Sequence, residues 1–235
     1  MVPACARSAP GGAGHAQSLP QPEPAAARGP QRCARARPTE RIVVDEAIAD
    51  SFVAKFAARS RELAGGNPSQ NPACVIGPMV SPDSGKRLNA LLDDALAKGA
   101  KLACGGHADG ATMPVTIVDH VRADMKIYDE ETFGPVTTVV RVRGTQAAID
   151  TANDTAYGLS AGVFGRDVNR ALHAAMEIDT GACHVNGATV QNEAQAPYGS
   201  TKHSSYGRFD GRAVIDEFTE LKWITIEPLN QSSPV

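Results

Sequence analysis

From Thr39 onward the sequence predicts an α/β fold with a largely parallel sheet flanked by helices. Two patterns carry that reading. Apolar stripes at helical spacing alternate with short β-branched runs, and one run, 136–142 (VTTVVRV), is as rich in valine as a strand covered on both faces. The composition agrees: 42% hydrophobic and 21% charged residues with a net charge of -3 suit a globular chain long enough for one domain or two small ones.

The elements follow in order. Residues 41–44 (RIVV) read as a short strand, and 46–63 as a helix with Ile48, Phe52, Val53 and Phe56 on its apolar stripe. The next helix, 82–98, carries Leu88, Leu91, Leu92 and Leu96, starts with Pro82 in its first turn and stops at Lys98-Gly99. Strands are expected at 101–104, 115–118 and 136–142. A helix at 146–153, a strand at 160–164, a helix at 167–178 with Asp167 as N-cap, and a strand at 183–186 complete the alternation.

The first 38 residues are of another kind. They hold seven of the sixteen prolines, ten alanines, five arginines, no lysine and one acidic residue, Glu23. Large apolar side chains are almost absent, so the segment cannot build a core and is expected to be disordered. The prolines at 20, 22, 24 and 30 oppose the amphipathic helix that an arginine-rich targeting peptide needs. Residues 228–235 read as a second flexible tail.

No run approaches the roughly 18 consecutive apolar residues of a membrane span, and neither membrane nor nucleic acid is expected as a partner. Cysteines 5, 33, 74, 104 and 183 show no paired spacing, which indicates neither a metal site nor a disulfide framework and suits a reducing cytoplasm.

The chemistry concentrates in IYDEETFGPV, residues 127–136. Glu130 and Glu131 stand directly before a Phe133-Gly134-Pro135 turn. Glu131 can accept hydrogen bonds from a vicinal diol such as a ribose, Phe133 offers a ring face to a flat heterocycle, and Gly-Pro stiffens the turn. Taken alone, the Glu-Glu pair reads better as a solvated acidic turn.

Three stretches share a resemblance. EETFGPV resembles the EExFGPV signature of the NAD(P)-dependent aldehyde dehydrogenase superfamily. ANDTAYGLSAGVF (152–164) is similar to its A-N-x-x-x-Y-G-L-x-x-x-V-F segment, and GACHVNGATVQNEAQAPYGSTKHSSYGRFDG (181–211) resembles its run through P-[FY]-G-G-x-K-x-S-G-x-G-R-x-x-G. With the ending EFTELKWITIE they cover 39–227 in unbroken order. The resemblance implies the family's catalytic domain, with Glu131 on the nicotinamide ribose, Phe133 beside the nicotinamide and NAD or NADP as cofactor. It also implies a terminal strand at 223–226 that extends a neighbouring subunit's sheet, and hence a homo-oligomer. Within the family, the sequence looks most like the branch that oxidises aromatic aldehydes such as salicylaldehyde or vanillin.

In that family a cysteine thiolate attacks the aldehyde, hydride leaves to the nicotinamide, and a carboxylate-activated water hydrolyses the thioester. The nucleophile sits in a GQxC motif, with about four residues between it and an arginine that opens the next strand. Here Pro30-Gln31-Arg32-Cys33 resembles the motif, but seven residues separate Cys33 from Arg41, and Ala36 holds the position in register. Either Cys33 is the nucleophile displaced by three residues, or the sequence before about Pro38 is not family sequence. The second is favoured, since a misplacement of about 1 Å already costs catalysis heavily. A complete dinucleotide-binding domain, the oxyanion-hole asparagine and the general-base glutamate, which the family carries upstream, are not found before Thr39.

Other residues invite roles. Cys74 near a turn and Cys104 and Cys183 on apolar strands read as small buried thiols. His184 and His203 lack an acid partner at a recognisable spacing. Asn186 matches a family position near the substrate tunnel and is a candidate substrate contact. Ser200 and Ser205 replace family glycines, and each costs on the order of 1 kcal/mol if its backbone must adopt positive φ. Two functions remain open: an aldehyde dehydrogenase acting on an aromatic aldehyde, or an inactive remnant that folds and associates with other subunits.

Overall fold

The computed structural model describes residues 2–6, 39–67, 69, 71, 73–190 and 193–229. Its elements are β1 (Val2–Ala6), β2 (Arg41–Asp45), α1 (Glu46–Arg61), α2 (Pro82–Ala97), β3 (Lys101–Cys104), β4 (Thr116–Asp119), α3 (Lys126–Asp129), β5 (Val136–Val142), α4 (Gly144–Asn153), β6 (Tyr157–Gly158), β7 (Ser160–Phe164), α5 (Val168–Glu177), β8 (Ala182–Val185), β9 (Tyr198–Gly199), β10 (Thr201–Lys202), β11 (Arg208–Phe209) and α6 (Ala213–Phe218).

Local signals place the helices. The Asp45 carboxylate caps α1 by accepting from the Ala47 amide, and accepts from the Gly144 amide as well; these backbone bonds hold its carboxyl below the ordinary range. Ser81 caps α2 with Pro82 in the first turn, and Gly99, at φ +96°, ends it. Asp167 caps α5 through the Arg170 amide.

Seven strands form one sheet in the order β3-β4-β5-β2-β1-β7-β8. The pairs β4/β5, β5/β2 and β7/β8 are parallel, whereas β3/β4, β2/β1 and β1/β7 are antiparallel. The sheet is therefore mixed, where the sequence predicts a largely parallel one. Between β3 and β4 no helix intervenes, and a parallel pair needs a crossover of a dozen or more residues, so β3 pairs antiparallel at the edge. The backbone of Val2–Ala6 enters the middle of the sheet, a place that the composition of residues 1–38 gives no reason to expect. Residues 7–38 lie outside the described residues, as do 230–235 of the expected C-terminal tail.

The valines of β5 divide between two cores. Val139 packs with Ile42, Val44 and Ile117 under Ala49, Val53 and Ala57 of α1. On the opposite face, Val136 and Val140 pack with Val118 under Leu88, Leu91, Leu92 and Ala95 of α2. A third cluster joins α4, β7 and α5 through Ile149, Ala161, Val163, Ala171 and Ala174. The doubly covered strand expected from the sequence is thus present.

The segment 223–226 differs from expectation. It pairs with no strand among the described residues, and Trp223 and Ile226 are 90% and 93% exposed. A terminal strand of this kind needs a ladder partner, and none of the described strands provides one. No helix of the described residues is long and apolar enough to cross a membrane.

Candidate active site

The loop 130–135 leaves the short helix α3 and opens β5, so the sheet core fixes one end of the candidate site. Gly134 is required by packing rather than by backbone angle: a Cβ there would lie 2.4 Å from Leu88 Cδ1 and 3.3 Å from Met79 Sδ. The loop is thereby seated directly on α2.

Phe133 has φ +47°, the left-handed region, which costs a non-glycine residue roughly 1–2 kcal/mol. The residue is 53% exposed, an unusual place for a phenylalanine. The turn is held from two sides. Arg87 of α2 donates to the Glu131 carbonyl at 2.7 Å and the Thr132 carbonyl at 2.6 Å. The Phe133 amide donates to Glu40 Oε1 at 3.2 Å. Glu131, two residues before Phe133, is half-buried.

Arg41 organises the ground behind the turn. Its buried guanidinium donates to the carbonyls of Thr151 at 3.1 Å and Asp154 at 2.7 Å, at the C-terminal end of α4, and to the Tyr128 carbonyl of α3. A cation at a helix C-terminus satisfies carbonyls that have no partner within the helix. The Tyr128 hydroxyl donates to Asp154 Oδ2 at 2.7 Å, and burial, reinforced by that bond, pushes the phenol pKa up to about 12.

Two of the other family-like stretches meet in a hydrogen-bonded seam. Asn153 accepts from the Asp179 amide and donates to the Glu177 carbonyl, both at 2.8 Å, while Lys202 Nζ donates to the Asn153 carbonyl at 2.8 Å. Strand β10 pairs with β6 across the same junction. ANDTAYG and STKHSS are therefore two sides of one seam.

The expected site residues separate. Glu131 and Phe133 share the clamped turn. Cys33 lies outside the described residues. Asn186 sits in the left-handed region at φ +54°, where asparagine is tolerated, and its amide bridges Gly165 in both directions, accepting from the Gly165 N–H at 2.9 Å and donating to the carbonyl at 3.0 Å. Ser200 and Ser205 carry no strain, because neither has positive φ, and their hydroxyls hydrogen-bond each other. The left-handed positions nearby are Lys202 and Gly207.

Cys74 and Cys104 are buried, as expected of inert thiols, and burial pushes the Cys104 thiol up. Cys183 is half-buried. Burial holds the His184 imidazole below its ordinary value, and its buried Nε2 has no hydrogen-bond partner. No group of three or more His, Cys, Asp or Glu that could hold a metal occurs among the described residues. Glu40 and Arg87 are the residues holding the turn that sequence reasoning missed. They sit 93 and 44–45 positions from their partners in the turn, and no local motif marks them.

Comparison with known proteins agrees with this geometry. The model of the aldehyde dehydrogenase family matches residues 29–224. A salicylaldehyde dehydrogenase of Pseudomonas putida is 63% identical over 83% of this chain and 41% of its own length. A vanillin dehydrogenase of Pseudomonas fluorescens is 47% identical over 80% of this chain and 39% of its own. Among solved structures, a salicylaldehyde dehydrogenase from Pseudomonas putida G7 complexed with salicylaldehyde superposes with a TM-score of 0.80 at 64% identity, covering 84% of this chain and 41% of that one. A betaine aldehyde dehydrogenase from Staphylococcus aureus in complex with NAD+ superposes at 0.72 with 30% identity, covering 83% and 41%. The chain spans about two fifths of the length of these relatives. With 196 of its 235 residues inside the family model and the turn, the seam and the sheet all in place, the chain belongs to the aldehyde dehydrogenase family.

Proposed function

We propose that this chain serves the oxidation of an aromatic aldehyde to its carboxylic acid with NAD(P)+, in the cytoplasm. The observation that carries the reading is the clamped turn, which carries a half-exposed Phe133 two residues after a half-buried Glu131. A ribose diol fits the acceptor pair of Glu131, and a nicotinamide fits the ring face of Phe133. Bound NAD(P)+ supplies a hydride acceptor. The aromatic preference rests on the salicylaldehyde and vanillin dehydrogenases to which the chain is similar.

Cys33 is the nucleophile in this proposal. Its thiolate adds to the aldehyde carbon and holds the substrate as a thiohemiacetal, and after oxidation the thioester is hydrolysed to free the acid and restore the thiol. The family match begins at residue 29, four residues before Cys33, which supports assigning the cysteine to family sequence. Asn186, whose amide bridges Gly165 at the exit of β8, keeps a second amide N–H and is the candidate substrate contact.

A second reading is supported by the exposed apolar side chains of Leu221, Trp223, Ile224 and Ile226. In it the chain is a folded domain that associates with further copies through this segment, without turnover. NADH formation with salicylaldehyde separates the two. The first reading expects turnover that Cys33→Ala abolishes. Absence of turnover in the unaltered chain, with NAD+ saturating, contradicts it and leaves the second.

A further inference from the structure

We infer that Glu40 and Arg87 are positioning residues that hold Phe133 in its left-handed turn and so aim its ring outward. Phe133 is bulky, has positive φ and is more than half exposed, so neither backbone preference nor burial of its own ring keeps it there. Gly134 seats the end of the turn on α2, but the floor under Thr132 gives less support. Thr132 is 1% exposed and its hydroxyl has no hydrogen-bond partner, and it borders a cavity of about 20 Å³, space for about one water, shared with Glu40, Tyr128 and Thr138. The Thr132 side of the turn thus has room to relax inward.

What opposes that relaxation is hydrogen bonding from two rigid elements. Glu40 is 6% exposed, and its backbone carbonyl is tied into β5 by the Thr138 amide and hydroxyl, each at 2.8 Å. Its carboxylate therefore reaches the Phe133 amide from a fixed base. Arg87, one turn of α2 from Leu91 and beside Leu88, holds the two preceding carbonyls. The three bonds fall on two successive peptide units, the Glu131 carbonyl on one and the Thr132 carbonyl with the Phe133 N–H on the next, which fixes the plane of each. A carboxylate spent on a backbone N–H makes a charge-assisted bond, stronger than a neutral one.

The cofactor role of the turn rests on the function proposed above; the clamp itself does not. Hydrogen exchange of the Phe133 amide, followed by NMR on the full chain, tests it directly. Glu40→Ala is expected to raise that rate at least ~10-fold while the Val43 and Val139 amides in the sheet stay protected, and Glu40→Gln, which keeps the acceptor, is expected to stay within ~3-fold of the unaltered chain. An unchanged Phe133 rate in Glu40→Ala, or a rise shared equally by Val43 and Val139, overturns the inference. Should Glu40→Ala fail to fold, Arg87→Met is measured in its place, with the same local rise expected and the same two results contradicting it. NAD+ titration of the same samples separates the two claims: if the unaltered chain binds no NAD+, the cofactor reading fails while the exchange rates still decide the clamp.

Discussion

The Arg41 guanidinium stacks 4.0 Å above the Tyr128 ring and donates to the carbonyl of the same residue. One side chain thus grips both the ring and the backbone of α3, and through the carbonyls of Thr151 and Asp154 it binds α3 to the end of α4. The base of the candidate cofactor turn hangs on this grip.

Replacing Arg41 by alanine leaves three buried or half-buried carbonyls without a donor and removes the stacked cation. The expected loss is about 3 kcal/mol in unfolding free energy. Arg41→Lys is expected to recover less than half of it, because an ammonium cannot reach separate carbonyls from a planar fork while stacking on a ring. Urea unfolding of the two variants measures both numbers.

Gly134→Ala places a methyl group against Leu88, itself fully buried. Leu88 sits in the core under α2 and must shift, so the variant is expected to lose about 1–3 kcal/mol. Gly110→Ala, where nothing lies within 4 Å but φ is +55°, tests backbone strain without a clash and is expected to cost about 1 kcal/mol. Thermal melts of the two variants compare packing with strain.

Tyr128 gives the fold an alkaline limit. Below pH 10, the ordinary phenol value, folded and unfolded states both keep the proton and the stabilisation is fully present. Above it the unfolded phenol ionises while the folded one, pushed up to about 12, does not, so stability is lost as pH rises from 10 to 12. Tyr128→Phe is expected to be less stable by about 1 kcal/mol at neutral pH, from the lost bond to Asp154, and to show a shallower decline over that window. Melting temperature against pH reads both effects.

Leu221, Trp223, Ile224 and Ile226 form a run of exposed apolar side chains at the end of the described chain. Such a patch favours association. Sedimentation at micromolar concentration is expected to show species larger than the monomer, and Trp223→Ser with Ile226→Ser is expected to shift the distribution toward monomer. A monodisperse unaltered monomer contradicts the expectation.

What was legible in the sequence was local. Helices α1, α2 and α5 announce themselves by stripe and cap, and β5 by its valines, because those signals lie within one element. The place of Val2–Ala6 in the sheet and the antiparallel edge at β3 depend on pairing between distant segments, which periodicity does not encode. The two-residue strands β6, β9, β10 and β11 are too short to show alternation. At the site, Glu131 and Phe133 were legible because a contiguous motif holds them, but Glu40 and Arg87 reach the turn only after folding. The strain expected at Ser200 and Ser205 is absent because the backbone takes its positive φ at Lys202 and Gly207 instead.

Calorimetric titration of the full chain with NAD+, beside the same titration of Phe133→Ala, tests most directly that the clamped turn is a cofactor half-site. The account predicts saturable binding that weakens about 10-fold or more when the ring is removed, as loss of a stacked aromatic contact implies. Binding that is absent in the unaltered chain, or equally strong without the ring, would contradict it.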